Sequence, residues 1–333
     1  MVSEVVVALD AMGGDHAPRA LVEGALKAVE EWGVRVILVG DEERIRSEIS
    51  NLGGGEGIEV VHASQVVEMD EEGAWAFRHK PDSSVAVAAR LVREGRAQAM
   101  VSAGNTGAAM ASATLCWGRI KGIKRPAIAV PLPSAANPVI LLDAGANPDC
   151  QPEHLRQFAL LGTAYASLIN GGRRPRVGLL NIGEEEGKGN ELAREAHRLF
   201  RQDERIYFVG NVEGRELLSG RADVIITDGF TGNVVLKTVE GIASNMAKWL
   251  LEELAQLGEE KAGDFLPVLL RLREKMDYRN LGGAPLLGVK GVCIIAHGRS
   301  DATAISNSIR VAAESVCQDL PGMTERLLSG LEV

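Results

Sequence analysis

The chain has 333 residues, of which 46% are hydrophobic and 24% charged, as is typical of a globular protein with a large core. Its formal net charge of −9 argues against a nucleic-acid-binding protein, because such proteins need basic surface to neutralise phosphates. The four cysteines have no paired spacing, which argues against structural zinc or a disulfide framework. With neither a signal-peptide pattern nor an apolar run of about 18 residues, we expect a cytoplasmic protein.

The first predicted elements are a strand, a polar turn and a helix. Residues 5–9 form an apolar run that predicts a buried strand, and the glycine-bearing turn 10–18 follows it directly. Residues 19–32 then have the apolar spacing of a helix. In α/β enzymes this unit places ligands at the carboxyl ends of strands.

Nine further runs rich in valine and isoleucine predict strands along the rest of the chain. Several are apolar at consecutive positions, which is typical of parallel strands buried on both faces, and they alternate with helical stretches. The predicted strands are residues 34–39, 58–62, 97–102, 127–131, 139–142, 177–181, 206–209, 224–227 and 292–296.

The order of these elements predicts one α/β unit, residues 1–333, with a largely parallel but mixed sheet. The strands at 127–131 and 139–142 are too close in sequence for a helical crossover, so we expect them to form an antiparallel hairpin. A helical excursion is predicted over about residues 240–282.

The turn at residues 101–107 follows a predicted strand and opens a predicted helix. Free backbone N–H groups and the helix dipole favour an anion at such a position, and Asn105 and Thr106 could add donors. A capped helix without a ligand is the alternative for this turn alone.

Four further turns of the same kind occur at residues 143–147, 183–190, 228–233 and 297–301. Because each follows an apolar strand, a parallel sheet would gather them at one carboxyl edge, where ligands bind. Each carries several polar residues, which favours the rim of an active site over a set of structural turns.

The individual turns fit no nucleotide motif. The turn at 183–190 lacks one residue of the P-loop spacing and has Gly189 where Ser or Thr should bind magnesium. Its Lys188 could contact a ligand or pair with the neighbouring glutamates 184–186. The opening turn has Gly13 and Gly14 without the dinucleotide fingerprint. His16 and His297 lie in strand-end turns and are candidates for acid–base or oxyanion roles.

Metal and thiol chemistry receive little support from the sequence. No metal-ligating histidine motif is present, so we expect neither a catalytic metal nor a cofactor. Cys150 is the one thiol in a suitable loop, but no histidine stands beside it until His154, so we interpret it as a bystander.

Taken together, the motifs closely resemble the bacterial acyl-carrier-protein:phosphate acyltransferases of phospholipid synthesis, the PlsX family. The resemblance covers essentially the whole chain in order, and it rests on the combination of motifs. These are ALDAMGGDHAP at 8–18, KPDSS at 80–84, VSAGNTGA at 101–108, LLDAGAN at 141–147, LLNIGEEEGKGNE at 179–191, ITDGFTGNVVLK at 226–237 and GAPLLGVKG…AHGRSD at 283–301.

The resemblance implies a substrate, a fold and partners. It implies transfer of a fatty acyl group from acyl carrier protein to inorganic phosphate, giving acyl phosphate for a membrane glycerol-3-phosphate acyltransferase. It implies a three-layer Rossmann-like α/β/α sandwich similar to isocitrate and isopropylmalate dehydrogenases and to phosphotransacetylase, in a homodimer. It also implies peripheral membrane contact through the loop between Leu257 and Leu266.

Phosphate is itself a nucleophile, so such an enzyme must mainly hold the dianion and stabilise an oxyanion. We expect Asn105, Thr106 and Gly107 to bind phosphate, and Lys188, Asn233 and His297 to act on the reacting groups. Further candidates for binding substrate or phosphate are Asp10, Gly13, Gly14, His16, Asp143, Asn147, Asn190, Asp228, Thr231 and Ser300.

Two other function classes are compatible with the predicted fold. One is a metal-dependent nicotinamide dehydrogenase, which the missing dinucleotide fingerprint and metal-carboxylate set disfavour. The other is a non-catalytic scaffold that recruits lipid-synthesis enzymes, which the many polar strand-end turns disfavour.

Overall fold

A computed structural model describes residues 4–134, 137–256 and 282–329, together with Phe265, Pro267 and Arg271. Its strands belong to a single sheet. They are β1 (Val6–Asp10), β2 (Arg35–Gly40), β3 (Ile58–His62), β4 (Ala99–Ser102), β5 (Ala127–Leu132), β6 (Val139–Leu142), β7 (Arg176–Asn181), β8 (Tyr207–Glu213), β9 (Val224–Ile226), β10 (Ala284–Leu287) and β11 (Val292–Ile295).

Helices connect most of these strands and cover both faces of the sheet. They are α1 (Arg19–Trp32), α2 (Glu42–Leu52), α3 (Gly73–His79), α4 (Ser84–Arg93), α5 (Thr106–Trp117), α6 (Pro152–Ile169), α7 (Glu191–Gln202), α8 (Gly229–Gln256), α9 (Ala302–Cys317) and α10 (Leu320–Leu328).

The sheet consists of two parallel halves that run in opposite directions. Its strand order is β3-β2-β1-β4-β11-β10-β5-β6-β9-β7-β8. Strands β1, β2, β3, β4 and β11 are mutually parallel, and so are β6, β7, β8 and β9. Between them, β10 pairs antiparallel with β11 and β5, and β5 pairs antiparallel with β6. The predicted mixed sheet and the predicted hairpin are therefore confirmed.

Successive strand residues enter different core layers, which explains the continuous apolar runs. In β1, Val7 and Leu9 pack with α1 and α9 on one face, whereas Ala8 packs with α4 and α5 on the other. In the second half, Ile140 packs towards α6 and Leu141 towards the side of α8. The result is the expected three-layer α/β/α arrangement.

Several predicted boundaries differ from the structure. The predicted strand at 97–102 begins at Ala99, and the one at 206–209 extends to Glu213. Strand β10 was not predicted. The predicted helical excursion at 240–282 begins earlier, because α8 starts at Gly229, and most of its second half lies outside the described residues.

A partly buried charge cluster joins α6, α7 and the end of α10, and its loss should destabilise the fold. Burial raises the pKa of Asp203, but hydrogen bonds from Arg205 and Arg156 outweigh burial and hold it at about 2, against 3.8 for the free group. The guanidinium of Arg205 also donates to the carbonyl of Leu328 at 3.0 Å.

We expect Asp203→Asn to lower the free energy of unfolding by about 2 kcal/mol at neutral pH, as the depressed pKa implies. Because the folded pKa is depressed, this contribution is present above pH 3.8 and is lost as the pH falls through about 2. Urea denaturation at several pH values measures the difference, with the exposed Asp149 changed to Asn as the control. An equal effect of both substitutions would contradict the assignment.

Candidate active site

A cleft of about 1120 Å³ lies between α8 and the middle of the sheet. Four of the five polar turns, and the opening turn through Asp15, contribute to its lining: Gly104 and Thr106 after β4, Gly145 after β6, Asn233 in α8, and residues 297–301 after β11. Apolar residues of β5 and α8 form much of the remaining wall.

The turns after β1, β4 and β11 are joined by close backbone contacts. Asp15 N donates to Gly298 O at 2.8 Å. A methyl group on Gly13 would lie 2.6 Å from the amide nitrogen of Gly104, so these two turns can approach only without a side chain there. Gly14, at φ 99°, lies in the left-handed region and faces the carbonyls of Ala103 and Gly298.

The buried side chain of Asp10 stabilises this group of turns. Its buried carboxylate accepts from Ser102 Oγ at 2.7 Å and from Met12 N at 3.3 Å. Burial raises the pKa of Asp10, and hydrogen bonds from Ser84 and Ser102 limit the rise. Asp10 therefore holds the turns in place and does not line the cleft.

The helix start after β4 leaves backbone donors for an anion, but the side chain of Asn105 is already engaged. Asn105 Oδ1 accepts from Ala108 N at 2.9 Å, and its Nδ2 donates to the carbonyls of Glu68, Met69 and Glu71. Gly107 packs against Gly73, where a methyl group would lie 2.1 Å from the Gly107 carbonyl carbon. Thr106 is exposed and lines the cleft, so it is placed to contact a ligand bound there.

On the other side of the cleft, Asp143 organises the turn after β6. Its fully buried carboxylate accepts from the backbone N–H groups of Ile128, Gly145, Ala146 and Asn147, and from Asn147 Nδ2. Burial raises the pKa of Asp143, and these donors limit the rise. Asp143 and Asn147 thus build the turn that presents Gly145 to the cleft.

Helix α8 contributes polar residues to the lining of the cleft, among them Asn233 and Lys237 next to the turns. Asp228 caps the helix by accepting from Thr231 N at 2.9 Å and Thr231 Oγ1 at 2.8 Å, so Asp228 and Thr231 fix its first turn. The Asn233 side chain lies beside Gly145, 3.7 Å from the position that a methyl group on Gly145 would occupy. Lys237 follows one helical turn later on the same face.

His297 is kept neutral by its surroundings. Its Nδ1 lies 3.1 Å from Arg299 N and its Nε2 lies 3.2 Å from Lys237 Nζ, and a neutral ring accepts at only one of these two nitrogens, depending on its tautomer. Burial lowers the pKa of His297, and the neighbouring Lys237 lowers it further. A neutral imidazole beside an ammonium group can accept a proton from a substrate near neutral pH.

The expectation that all the turns meet at one carboxyl edge is wrong. Because the two halves of the sheet run in opposite directions, the turns after β1, β4 and β11 lie at one edge and those after β6, β7 and β9 at the other. The cleft nevertheless reaches both groups, because it crosses the face of the sheet between them.

Some candidates lie apart from the cleft. The described residues that line the cleft do not include Lys188 or Asn190. Asn190 instead caps α7 by accepting from Ala193 N at 2.9 Å. Lys188 is exposed, and the carboxylates of Glu184 and Glu186 pair with arginines instead. His16 lines a separate surface pocket at the start of α1, whereas the buried Ser300 lines the cleft.

The described residues offer little to thiolate or metal chemistry. Burial raises the pKa of Cys150 to about 12, and the Asp143 carboxylate adds to the effect, so the thiol stays protonated. Among residues 4–134, 137–256 and 282–329, no group of three or more His, Cys, Asp or Glu is placed to hold a metal ion. Nor does any helix in the described part of the chain have the length and apolarity needed to cross a membrane.

Comparison with known proteins adds an independent observation. A family model described as "Fatty acid synthesis protein" matches residues 5–323. A phosphate acyltransferase of Pelotomaculum thermopropionicum is 52% identical over 312 residues, which are 93% of this chain and 91% of the relative. The chain belongs to the phosphate acyltransferase family. A phosphate acyltransferase of Moorella thermoacetica is 48% identical over 336 residues, covering 98% of this chain and 99% of the relative.

Membership of the phosphate acyltransferase family makes the chain an acyltransferase, and solved structures show the same fold at low identity. A phosphotransacetylase from Streptococcus pyogenes is 15% identical with a TM-score of 0.66, covering 95% of this chain and 94% of its own. A 4-hydroxythreonine-4-phosphate dehydrogenase from Klebsiella pneumoniae is 13% identical with a TM-score of 0.51, covering 94% and 98%. Both likenesses support the Rossmann-like three-layer architecture.

Sequence reasoning missed Lys237 in this phosphate acyltransferase family member. Lys237 lines the cleft and contacts His297, whereas the expected lysine, Lys188, does not line it. The signal was present in the sequence, because a residue four positions after Asn233 in a helix lies on the same face.

Proposed function

We propose that the protein transfers a fatty acyl group from acyl-[acyl carrier protein] to inorganic phosphate. The products are acyl phosphate and free acyl carrier protein, for use in phospholipid synthesis. The name shared by the curated relatives, phosphate acyltransferase, supports phosphate as the acceptor. The description of the matching family model supports a fatty acyl donor.

One structural observation carries the proposal: a single cleft combines donors for an anion with a long apolar wall. Backbone N–H groups at the start of α5 and the ammonium of Lys237, which also pairs with Glu240 at 2.8 Å, supply donors for an anion in the cleft. Apolar side chains including Leu132, Leu236 and Val239 continue the wall from there. Phosphate and a fatty acyl thioester need these two surfaces side by side.

The reaction can proceed by direct attack. An oxygen of hydrogen phosphate forms a bond to the thioester carbonyl carbon, and the carbon–sulfur bond breaks as the tetrahedral oxyanion collapses. Lys237 and Asn233 stabilise that oxyanion. His297 accepts the phosphate proton and passes it to the leaving thiolate, so the products are the acyl phosphate dianion and a thiol.

The direct test is an assay of the purified full chain with acyl carrier protein thioester and inorganic phosphate. Acyl phosphate and free thiol should appear in equal amounts, and omitting phosphate should abolish thiol release. A burst of thiol without phosphate would contradict direct attack and indicate an acyl-enzyme.

The low pKa of His297 leads to a prediction about pH. We expect His297→Gln to lower kcat/KM by about 100-fold near neutral pH, as for a lost general base. Protonated His297 cannot act as a base, so protonation removes the difference between the wild type and the variant. Because the pKa of His297 is lowered, the ratio of wild-type to variant rate should fall only below pH 6.5, the pKa of free imidazole. Phosphate ionisation affects both proteins equally and cancels in the ratio. A wild-type to variant ratio close to one near neutral pH would contradict the role of His297.

The proposal also includes partners. A homodimer is supported by apolar side chains that are exposed along α8, among them Phe230 (66% exposed) and Trp249 (59% exposed). Sedimentation experiments measure the oligomeric state and so test this proposal. We retain Lys188 as a catalytic candidate in that assembly. Delivery of acyl phosphate to a membrane glycerol-3-phosphate acyltransferase is part of the proposal. Membrane contact between Leu257 and Leu266 falls almost wholly outside the described residues.

A further inference from the structure

The apolar part of the cleft follows one face of α8. Leu236, Val239, Ala243, Ala247 and Leu250 all line the cleft, and their spacing of three or four residues places them on one side of the helix. On the opposite wall, β5 and the residues after it contribute their own apolar lining: Val130, Pro131, Leu132 and Pro133. These apolar residues form a groove along the helix, and Glu240, Ser244 and Lys248 of α8 line the same cleft beside it.

This groove begins at the polar part of the site. Lys237 and His297 are 3.2 Å apart, and both line the same cleft as the groove residues. From Lys237 to Leu251, the last α8 residue that lines the cleft, 14 residues of helix span about 21 Å. Since an extended chain covers about 1.2 Å per bond, this length accommodates about 17 bonds.

We propose that the groove along α8 binds the alkyl chain of the fatty acyl donor, with the carbonyl beside Lys237 and the methyl end towards Leu251. This inference rests on the proposed function and names the place of its substrate. Continuity with Lys237 and His297 fixes the direction, because the reacting carbonyl must lie at the polar end. The groove length then limits the chain length.

The proposal assigns a distance to each groove residue. Ala243 lies about 9 Å along the helix from Lys237, and Ala247 lies about 15 Å from it. At about 1.2 Å per bond these positions correspond to about 7 and about 12 bonds of an extended chain. A larger side chain at Ala243 should therefore stop chains beyond octanoyl, and one at Ala247 should stop only those beyond lauroyl.

The experiment compares Ala243→Leu and Ala247→Leu with the wild type on butyryl, octanoyl, lauroyl and palmitoyl thioesters of acyl carrier protein. We expect both variants to keep the wild-type butyryl rate and to lose about 10- to 100-fold in kcat/KM for palmitoyl. For lauroyl, only Ala243→Leu should show the loss. Unchanged profiles, or equal losses at every chain length, would overturn the proposal. Ala243→Val gives the same comparison should Ala243→Leu fail to fold.

Asn245→Leu is the matched control. Asn245 lies on α8 between the two alanines but does not line the cleft, and its Nδ2 donates to Gly241 O at 2.9 Å. We expect this variant to keep the wild-type chain-length profile. A profile shortened as in the alanine variants would show that the effect comes from α8 in general and would overturn the proposal.

A binding measurement separates the groove from the reaction. Palmitate should displace a fluorescent fatty acid from the wild type, and Ala243→Leu should weaken palmitate binding about 10-fold while leaving octanoate binding unchanged. If these binding results hold but no thioester transfers its acyl group to phosphate, the proposed function fails and the groove assignment stands. If palmitate does not bind, or binds equally to both proteins, the groove assignment fails.

Discussion

Lys237→Met should lower kcat/KM for acyl transfer by about 100- to 1000-fold, the range found when one preorganised donor to an oxyanion is removed. The substituted side chain keeps the apolar stem of lysine and loses its charge. Lys237 lines the cleft one helical turn after Asn233, and its ammonium also lies 2.8 Å from Glu240. Steady-state rates with acyl carrier protein thioester and phosphate measure the effect.

The same variant should change the titration of His297. Lys237 is the second cause, after burial, of the low pKa of His297, so removing its charge should raise that pKa. The acid limb of the rate profile should then move to higher pH. Lys290→Met, at an exposed lysine between β10 and β11, is the control and should keep the wild-type rate. A Lys237→Met enzyme with more than about a tenth of wild-type activity would contradict the role of Lys237.

Asp143→Ala should be the most destabilising change at the site, lowering the free energy of unfolding by about 4 kcal/mol or more. The substitution leaves buried donors without an acceptor, among them Ile128 N at 3.0 Å and Asn147 N at 2.7 Å. Each unsatisfied buried donor costs about 1 to 3 kcal/mol. Urea denaturation followed by circular dichroism measures the loss.

Asp228→Ala is the matched comparison for Asp143→Ala. Asp228 is only half-buried and caps α8 through Thr231, so its removal should cost about 1 kcal/mol, as for other helix caps. Equal losses in the two variants would show that burial of Asp143 adds nothing. We also expect Asp143→Ala to impair acyl transfer in the folded fraction, because Asp143 shapes the turn that faces Asn233.

The sequence predicted strands best where both faces of the strand are buried. The run at 139–142 became β6 with the predicted bounds, and all four of its residues are buried. Strand β10 escaped detection because it contains Pro285 and forms a short ladder on each side. Two of its residues pair with β11 and the other two with β5, so the strand does not need a long alternation of apolar and polar residues.

Polar residues of the site were harder to interpret than the strands. Asn105, Asn190 and Asp228 occupy helix caps, and the residue types that cap helices are also those that bind ligands. A capping residue and a ligand-binding residue therefore look alike in the sequence. Their distinction depends on which N–H groups and carbonyls the fold brings to each side chain, as the three carbonyl partners of Asn105 Nδ2 illustrate.

The opposite directions of the two halves of the sheet could not be predicted from the sequence either. An apolar run predicts a strand, but it does not predict the direction of that strand relative to a distant one. In this sheet the short β10 lies between β11 and β5. The resemblance to known motifs gave the family correctly, but placing each turn required the pairing of β10 on both of its edges.

The position of β10 and β11 has a consequence for how the chain folds during synthesis. Strands β4 and β5 are neighbours in sequence, yet the two strands that separate them in the sheet, β11 and β10, are synthesised more than 150 residues after β5. Until then the nascent protein presents two unpaired strand edges, and such edges are prone to associate with other chains. The two halves of the sheet must therefore join late in folding, because their joining requires the closure of a loop of more than 150 residues between β5 and β10.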